Sequence, residues 1–241
     1  MTNLADALER FNRKETNLLL RFAVGHSEKH PPLNACFRRN IAIKLAIEGG
    51  IPEHAWWAAA YHFDWLAGAL RLFADGEAVV GKDWPNPVNP DPDTPATTNQ
   101  TKRSHSLIQG NQEDIDLIIA FDTTLIMIEA KGYGYLGSGQ AARKARRLQL
   151  LYEHAGKVSS GTRRVSLHFL LISPTEPQKL LTKWPPWTLI NDTIPWLKLP
   201  LAAVQTPLQV NRCGPNGKSR EGSFWSIVKS STPGGWVPPK P

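Results

Sequence analysis

The sequence predicts an α/β protein, a mixed sheet flanked by helices and preceded by an N-terminal helical region. Three observations predict it. Residues 113–131 hold two apolar runs, Leu117–Phe121 and Leu125–Ile128, joined by the polar turn Asp122-Thr123-Thr124, which is the pattern of a hairpin. A helix-period segment from Gln140 to about His154 separates the second run from a further apolar run, Arg164–Ile172. A right-handed crossover is the default for such a strand–helix–strand unit, so those two strands are expected to be parallel in one sheet. Ahead of the hairpin, the spacing of leucine and phenylalanine is that of helices.

In chain order, Leu4–Val24 carries helix-period leucines and phenylalanines with charges between them. Asn34–Glu48 places Phe37, Ile41 and Leu45 on one stripe and stops at Gly49-Gly50. Pro52 suits the first turn of a third helix that runs to about Phe73 and ends at Asp75-Gly76. That stretch is apolar nearly all round, so it reads as a buried helix, with Trp56, Trp57 and Trp65 as core residues. Glu77–Val80 is expected to form a short strand. Residues 83–105, with Pro85, Pro87, Pro90, Pro92 and Pro95, make a long polar insertion, read as a flap beside the site because such loops in compact domains are usually functional or disordered. A Gly-rich turn follows the hairpin at 132–139. Beyond Ser173-Pro174 the chain is rich in Pro and Trp, with one more strand at Ser223–Ser230 and a loose tail. The expected organisation is a helical region at 1–75 packed on the core, the core at 76–175 and an extension at 176–241.

The 241 residues carry a formal net charge of +7, with a pI near 9.5, which favours a polyanionic partner. The excess is local. Residues 140–164 contain Arg143, Lys144, Arg146, Arg147, Lys157, Arg163 and Arg164 against the single acid Glu153. Two cysteines, Cys36 and Cys213, are too few for a disulfide framework or a zinc knuckle. No signal peptide and no apolar run of membrane-spanning length is visible, so a soluble, cytoplasmic protein with no membrane partner is expected.

The charges in 113–131 carry the chemistry. Asp116 opens one apolar run, and Glu129 and Lys131 close the other, two apart and so on one strand face. Acids and a lysine on a mostly buried sheet are costly unless they bind something. A hard divalent cation with a water to activate is the natural occupant.

Glu113-Asp114-Ile115-Asp116-Leu117-Ile118, then Ile128-Glu129-Ala130-Lys131, then a helix from about Gln140, resembles the PD-(D/E)xK nuclease superfamily, and within it the small resolvase-like and restriction-like members. The resemblance covers about residues 77–172 and implies a restriction-endonuclease-like core. It implies Asp116 and Glu129 as carboxylate ligands of Mg²⁺ or Mn²⁺, Ala130 as a carbonyl ligand, and Lys131 as the residue that positions the attacking water and steadies developing charge. It also implies an acid from a preceding helix. Asp64, read as lying inside the apolar helix, is preferred over Glu48, which stands before Gly49-Gly50. Asp114 is either a further ligand or a strand cap, Asp122 a turn residue, and His62 structural.

On the basic helix, Gln140, Lys144 and Arg147 fall at i, i+4, i+7, set against an apolar stripe of Ala141, Ala145, Leu148 and Tyr152. The cations, Arg143 included, are read as nucleic-acid contacts, with a solvated face as the alternative. Gln140 matches the helix glutamine frequent in the superfamily. Gly132-Tyr133-Gly134-Tyr135-Leu136-Gly137 has the form G-x-G-x-x-G between strand and helix. Charged Glu129 and Lys131 at the strand end, and no acid closing the next strand, count against a dinucleotide site there. The glycines suit close passage of a substrate backbone, with Tyr133 able to stack.

The function these readings predict is a Mg²⁺- or Mn²⁺-dependent endonuclease acting on DNA. A homodimer or a protein partner could supply specificity. The alternatives are a non-catalytic nucleic-acid-binding module on the same fold and a nucleotide-binding enzyme using the Gly132–Gly137 turn.

Overall fold

The computed structural model describes residues 3–25, 30–88, 106–110, 113–131, 138–156, 165–174, 176–177, 184–200, 208–214 and 223–229. The molecule is mixed α/β. Five strands, β1 Trp56–His62, β2 Asp114–Phe121, β3 Thr124–Ala130, β4 Ser166–Ser173 and β5 Trp196–Lys198, lie in that order in one sheet. β1, β2 and β3 are antiparallel neighbours, while β3, β4 and β5 are parallel. The expected hairpin is β2–β3, closed at Phe121↔Thr124 with Asp122 at φ 47° in the turn. The crossover is α5, Ser138–Leu151, extended by a π-helical turn at Tyr152–Gly156. A separate two-stranded ribbon pairs β6 Leu208–Cys213 with β7 Phe224–Lys229, at the position expected for the late strand.

Helices cover both faces. α1 (Leu4–Phe11), α4 (Phe63–Asp75) and α5 share one core with Ile118, Ala120, Leu125 and Met127. α3 (Ala35–Lys44) packs on the other face against Ile119, Ile126, Ile128 and Leu170. Trp184, Trp187 and Trp196 join the first core, with Tyr152 stacked on Trp187 and Phe169 on Trp184.

Three sequence expectations are corrected. Leu4–Val24 is two helices, α1 and α2 (Glu15–Ala23), broken at 12–14 where Asn12 ends α1 by donating its N–H to the Glu9 carbonyl. Trp56–His62 is a strand, with only Phe63–Asp75 helical. A short run apolar on every side fits a buried strand as well as a buried helix, and here sheet pairing with β2 decides between them. Glu77–Val80 is no strand, because Gly76–Val79 closes as a 3-10 turn behind α4.

α2 has inverted polarity. Its buried residues are Asn17 and Arg21, while Leu19 and Phe22 are 67% and 73% exposed. The Asn17 amide explains the inversion, since it accepts from Ala59 N–H at 3.0 Å and donates to Ala59 C=O at 2.9 Å. It thereby occupies the free edge of β1, where an unpaired backbone would invite another strand.

Glu9 ties the helices to β1. It accepts from Trp56 Nε1 at 2.9 Å and pairs with Arg21 and His30. The hydrogen bond from His30 leads the effects that hold its carboxyl down at about 2 instead of 4.5. A carboxyl depressed in the folded state contributes stability above its unfolded pKa and loses it as pH falls through the folded one. Glu9→Gln should therefore lower the melting temperature at pH 7, and its deficit should shrink between pH 4.5 and 2. Thermal melts of both proteins across that range check this.

Candidate active site

Asp116 stands where both of its ladders are interrupted. On one side β1 pairs with β2 at Ala59↔Leu117 and Tyr61↔Ile115 but not between them, and Ala60 there has φ 50°. Ile115 and Ile118, three apart, face the same core, so the two-residue alternation of the strand breaks across Asp116. On the other side the β2–β3 ladder stops at Leu117↔Ile128. The Ala130 N–H beyond it donates instead to Asp116 Oδ2, at 2.7 Å. The two strands part, and an exposed carboxylate fills the opening.

Glu129 reaches the same opening from β3 and is buried. Its Oε2 accepts from Lys144 Nζ at 2.6 Å, and its Oε1 is 3.8 Å from Lys131 Nζ. Burial, aided by the charge on Asp116, pushes the Glu129 carboxyl above its ordinary value, against the pull of Lys144 and Lys131. Lys131 is anchored through its backbone N–H to the Ile172 carbonyl at 2.8 Å, and its side chain is partly exposed. Two acids and two lysines thus converge, one acid open and one buried.

The cations of α5 are corrected. Lys144 and Arg147 are 2% and 1% exposed and so present no surface to a nucleic acid. Lys144 binds Glu129 and donates to the Asp114 carbonyl at 3.0 Å. Arg147 stacks on Phe63 and bridges Asp64, Glu113 and the Leu107 carbonyl, the last two at 2.7 and 2.9 Å. Arg143 is exposed as expected. Tyr133, the Gly132–Gly137 turn and the Gln140 side chain lie outside the described residues, as do 89–105 of the proline-rich insertion. The ends of that insertion are joined, with Asn86 exchanging hydrogen bonds with the Ile108 backbone at 2.7 and 2.9 Å.

Asp64 is corrected as well. It lies in the first turn of α4, and its carboxylate is taken by Arg147 and by the N–H groups of Gly110 (2.8 Å) and Gln109 (3.3 Å). Glu48 follows α3, on the opposite face of the sheet. Asp114 pairs with Lys14 at 2.9 Å. Among the described residues no three Asp, Glu, His or Cys side chains gather as a metal-binding group.

Asp116 and Glu129 remain the pair that could hold a cation. Each has one oxygen engaged at hydrogen-bond distance, by Ala130 N–H or by Lys144, and a second oxygen with no such bond among the described residues. Hard oxygens from two strands, at a gap left by a parted ladder, fit Mg²⁺ or Mn²⁺, which binds through one or two carboxylates and fills its other positions with water and phosphate.

Lys144 as the partner of Glu129, Lys14 as the partner of Asp114 and the Arg147 clasp were not read from the sequence. The signal for Lys144 was there. At 3.6 residues per turn it lies about 60° from Ala141 and about 40° from Leu148, beside the apolar stripe and not opposite it. No protein-family model, curated protein or solved structure matches this chain.

Proposed function

We propose that the protein is a metal-dependent phosphodiesterase, an endonuclease of the PD-(D/E)xK kind on a restriction-endonuclease-like sheet, with DNA as its substrate. The observation that carries the reading is the meeting of Asp116, Glu129 and Lys131 at the parted ends of β2 and β3.

Asp116 and Glu129 would hold Mg²⁺ or Mn²⁺, with the Ala130 carbonyl as a further ligand. A bound cation would supply Lewis-acid polarisation of the scissile phosphate and activation of the attacking water. Lys144 holds Glu129 by one oxygen, which fixes its rotamer and leaves the other oxygen toward the opening. Lys131, partly exposed at that opening, would orient the water and stabilise charge developing on the phosphate. Arg143 lies on the exposed side of α5, where it can meet a phosphate backbone.

A second reading, a binding module without catalysis, is favoured by one observation. The charges of Asp116, Glu129, Lys131 and Lys144 already balance. The two readings part in one assay. Supercoiled plasmid incubated with the protein should be cut only when Mg²⁺ or Mn²⁺ is present, and not by Glu129→Ala. Cutting that survives in the variant, or no cutting by the natural sequence with either metal, rejects the nuclease reading.

A further inference from the structure

A groove of about 1070 Å³ runs between α1, α4 and the two ends of the proline-rich insertion. This is slightly above the usual size of ligand clefts, roughly 300–1,000 Å³. Its apolar wall includes Phe11, Trp65, Leu72 and Leu107. Gly68 makes room for that wall, since a Cβ there would meet the Phe11 ring at 2.9 Å.

Two features of the groove point to a ligand. The first is an aromatic platform at Trp84, which is 49% exposed and has the Arg71 guanidinium 3.7 Å from its ring centroid. A cation lies over the indole, and about half of the residue remains exposed. The second is a surplus of positive charge. Arg10 is paired with Glu77 and Arg71 with Asp75. Arg13 is exposed and makes no ion pair among the described residues. Next to Arg13, Lys14 binds Asp114, two residues from Asp116 on β2. The groove wall also touches the other side of the site, because the Leu107 carbonyl accepts from Arg147, one turn along α5 from Lys144.

We propose that this groove binds an unpaired strand of nucleic acid, with a base stacked on the exposed part of Trp84 and its phosphates toward Arg13, and leads that strand toward Asp116. Stacking platforms combined with a cationic track are how single strands are held without sequence reading. A duplex offers no free base face to Trp84. The inference rests on the nuclease reading for its substrate class but not for its binding test.

The test is fluorescence anisotropy of a short labelled oligothymidine, and of a duplex of equal length, with wild-type protein in EDTA so that nothing is cut. Wild type should bind the single strand more tightly than the duplex. Trp84→Ala should weaken single-strand binding about 10-fold, in line with the loss of one stacked base. Arg13→Glu, at an exposed position that folding tolerates, should weaken it too and make it less dependent on salt. Affinities of both variants equal to wild type, or no preference for the single strand, overturn the proposal. Single-strand binding without metal-dependent plasmid cutting would leave the groove standing and reject the nuclease. Cutting without single-strand binding would do the reverse.

Discussion

Lys131→Ala should slow metal-dependent cleavage by about 10²–10³-fold, the usual effect of removing one preorganised group that stabilises transition-state charge. Mn²⁺ affinity should hold or rise, because a cation beside Asp116 and Glu129 has been removed. The fold should be little affected. Lys131 is partly exposed, and its nearest acid lies at 3.8 Å, beyond hydrogen-bond distance. Single-turnover rates at saturating metal, with Mn²⁺ binding measured separately, check both halves. A variant that binds Mn²⁺ less tightly but turns over normally once saturated would contradict the role given to Lys131.

Arg147→Met should cost about 3–5 kcal/mol of folding stability, the range for breaking a buried ion pair and leaving its partners uncompensated. The guanidinium serves Asp64, Glu113 and the Leu107 carbonyl at once. It clasps the start of α4, the end of the insertion and the entry to β2. Lysine is no substitute, since a single ammonium cannot reproduce the planar fork. Arg147→Lys is therefore expected to lose more than half as much. Denaturant unfolding followed by circular dichroism gives the values. A loss under 1 kcal/mol for Arg147→Met would mean that the clasp adds little to the fold.

The β2–β3 hairpin, the crossover helix and the parallel pairing of β3 with β4 were legible in the sequence. Two apolar runs joined by a short polar turn, and a helix between apolar runs, are local signals with few competing outcomes. Trp56–His62 was not legible, because alanine and tryptophan apolar on all sides suit a buried helix and a buried strand alike. What selects the strand is its pairing with β2, a contact between segments more than fifty residues apart. Asp116 and Glu129 could be singled out as charges where a sheet does not want them. The parted ladder that brings them together could not, since it depends on register. The charges of α5 were misassigned for a related reason. Lys144 and Arg147 look like surface cations until Glu129, Asp64 and Glu113 are placed around them. Buried cations need acids, and the acids come from other elements.

If the opening between β2 and β3 is a divalent-cation site and not merely a closed set of ion pairs, it binds Mn²⁺ through Asp116 and Glu129. Calorimetric titration of the metal-stripped protein with Mn²⁺ tests it most directly, run beside Asp116→Asn, which keeps the shape of the side chain that receives the Ala130 N–H. Saturable binding by the natural sequence and at least a 10-fold loss in the variant are expected. Absence of Mn²⁺ binding, or equal binding by the two proteins, would contradict a cation site there.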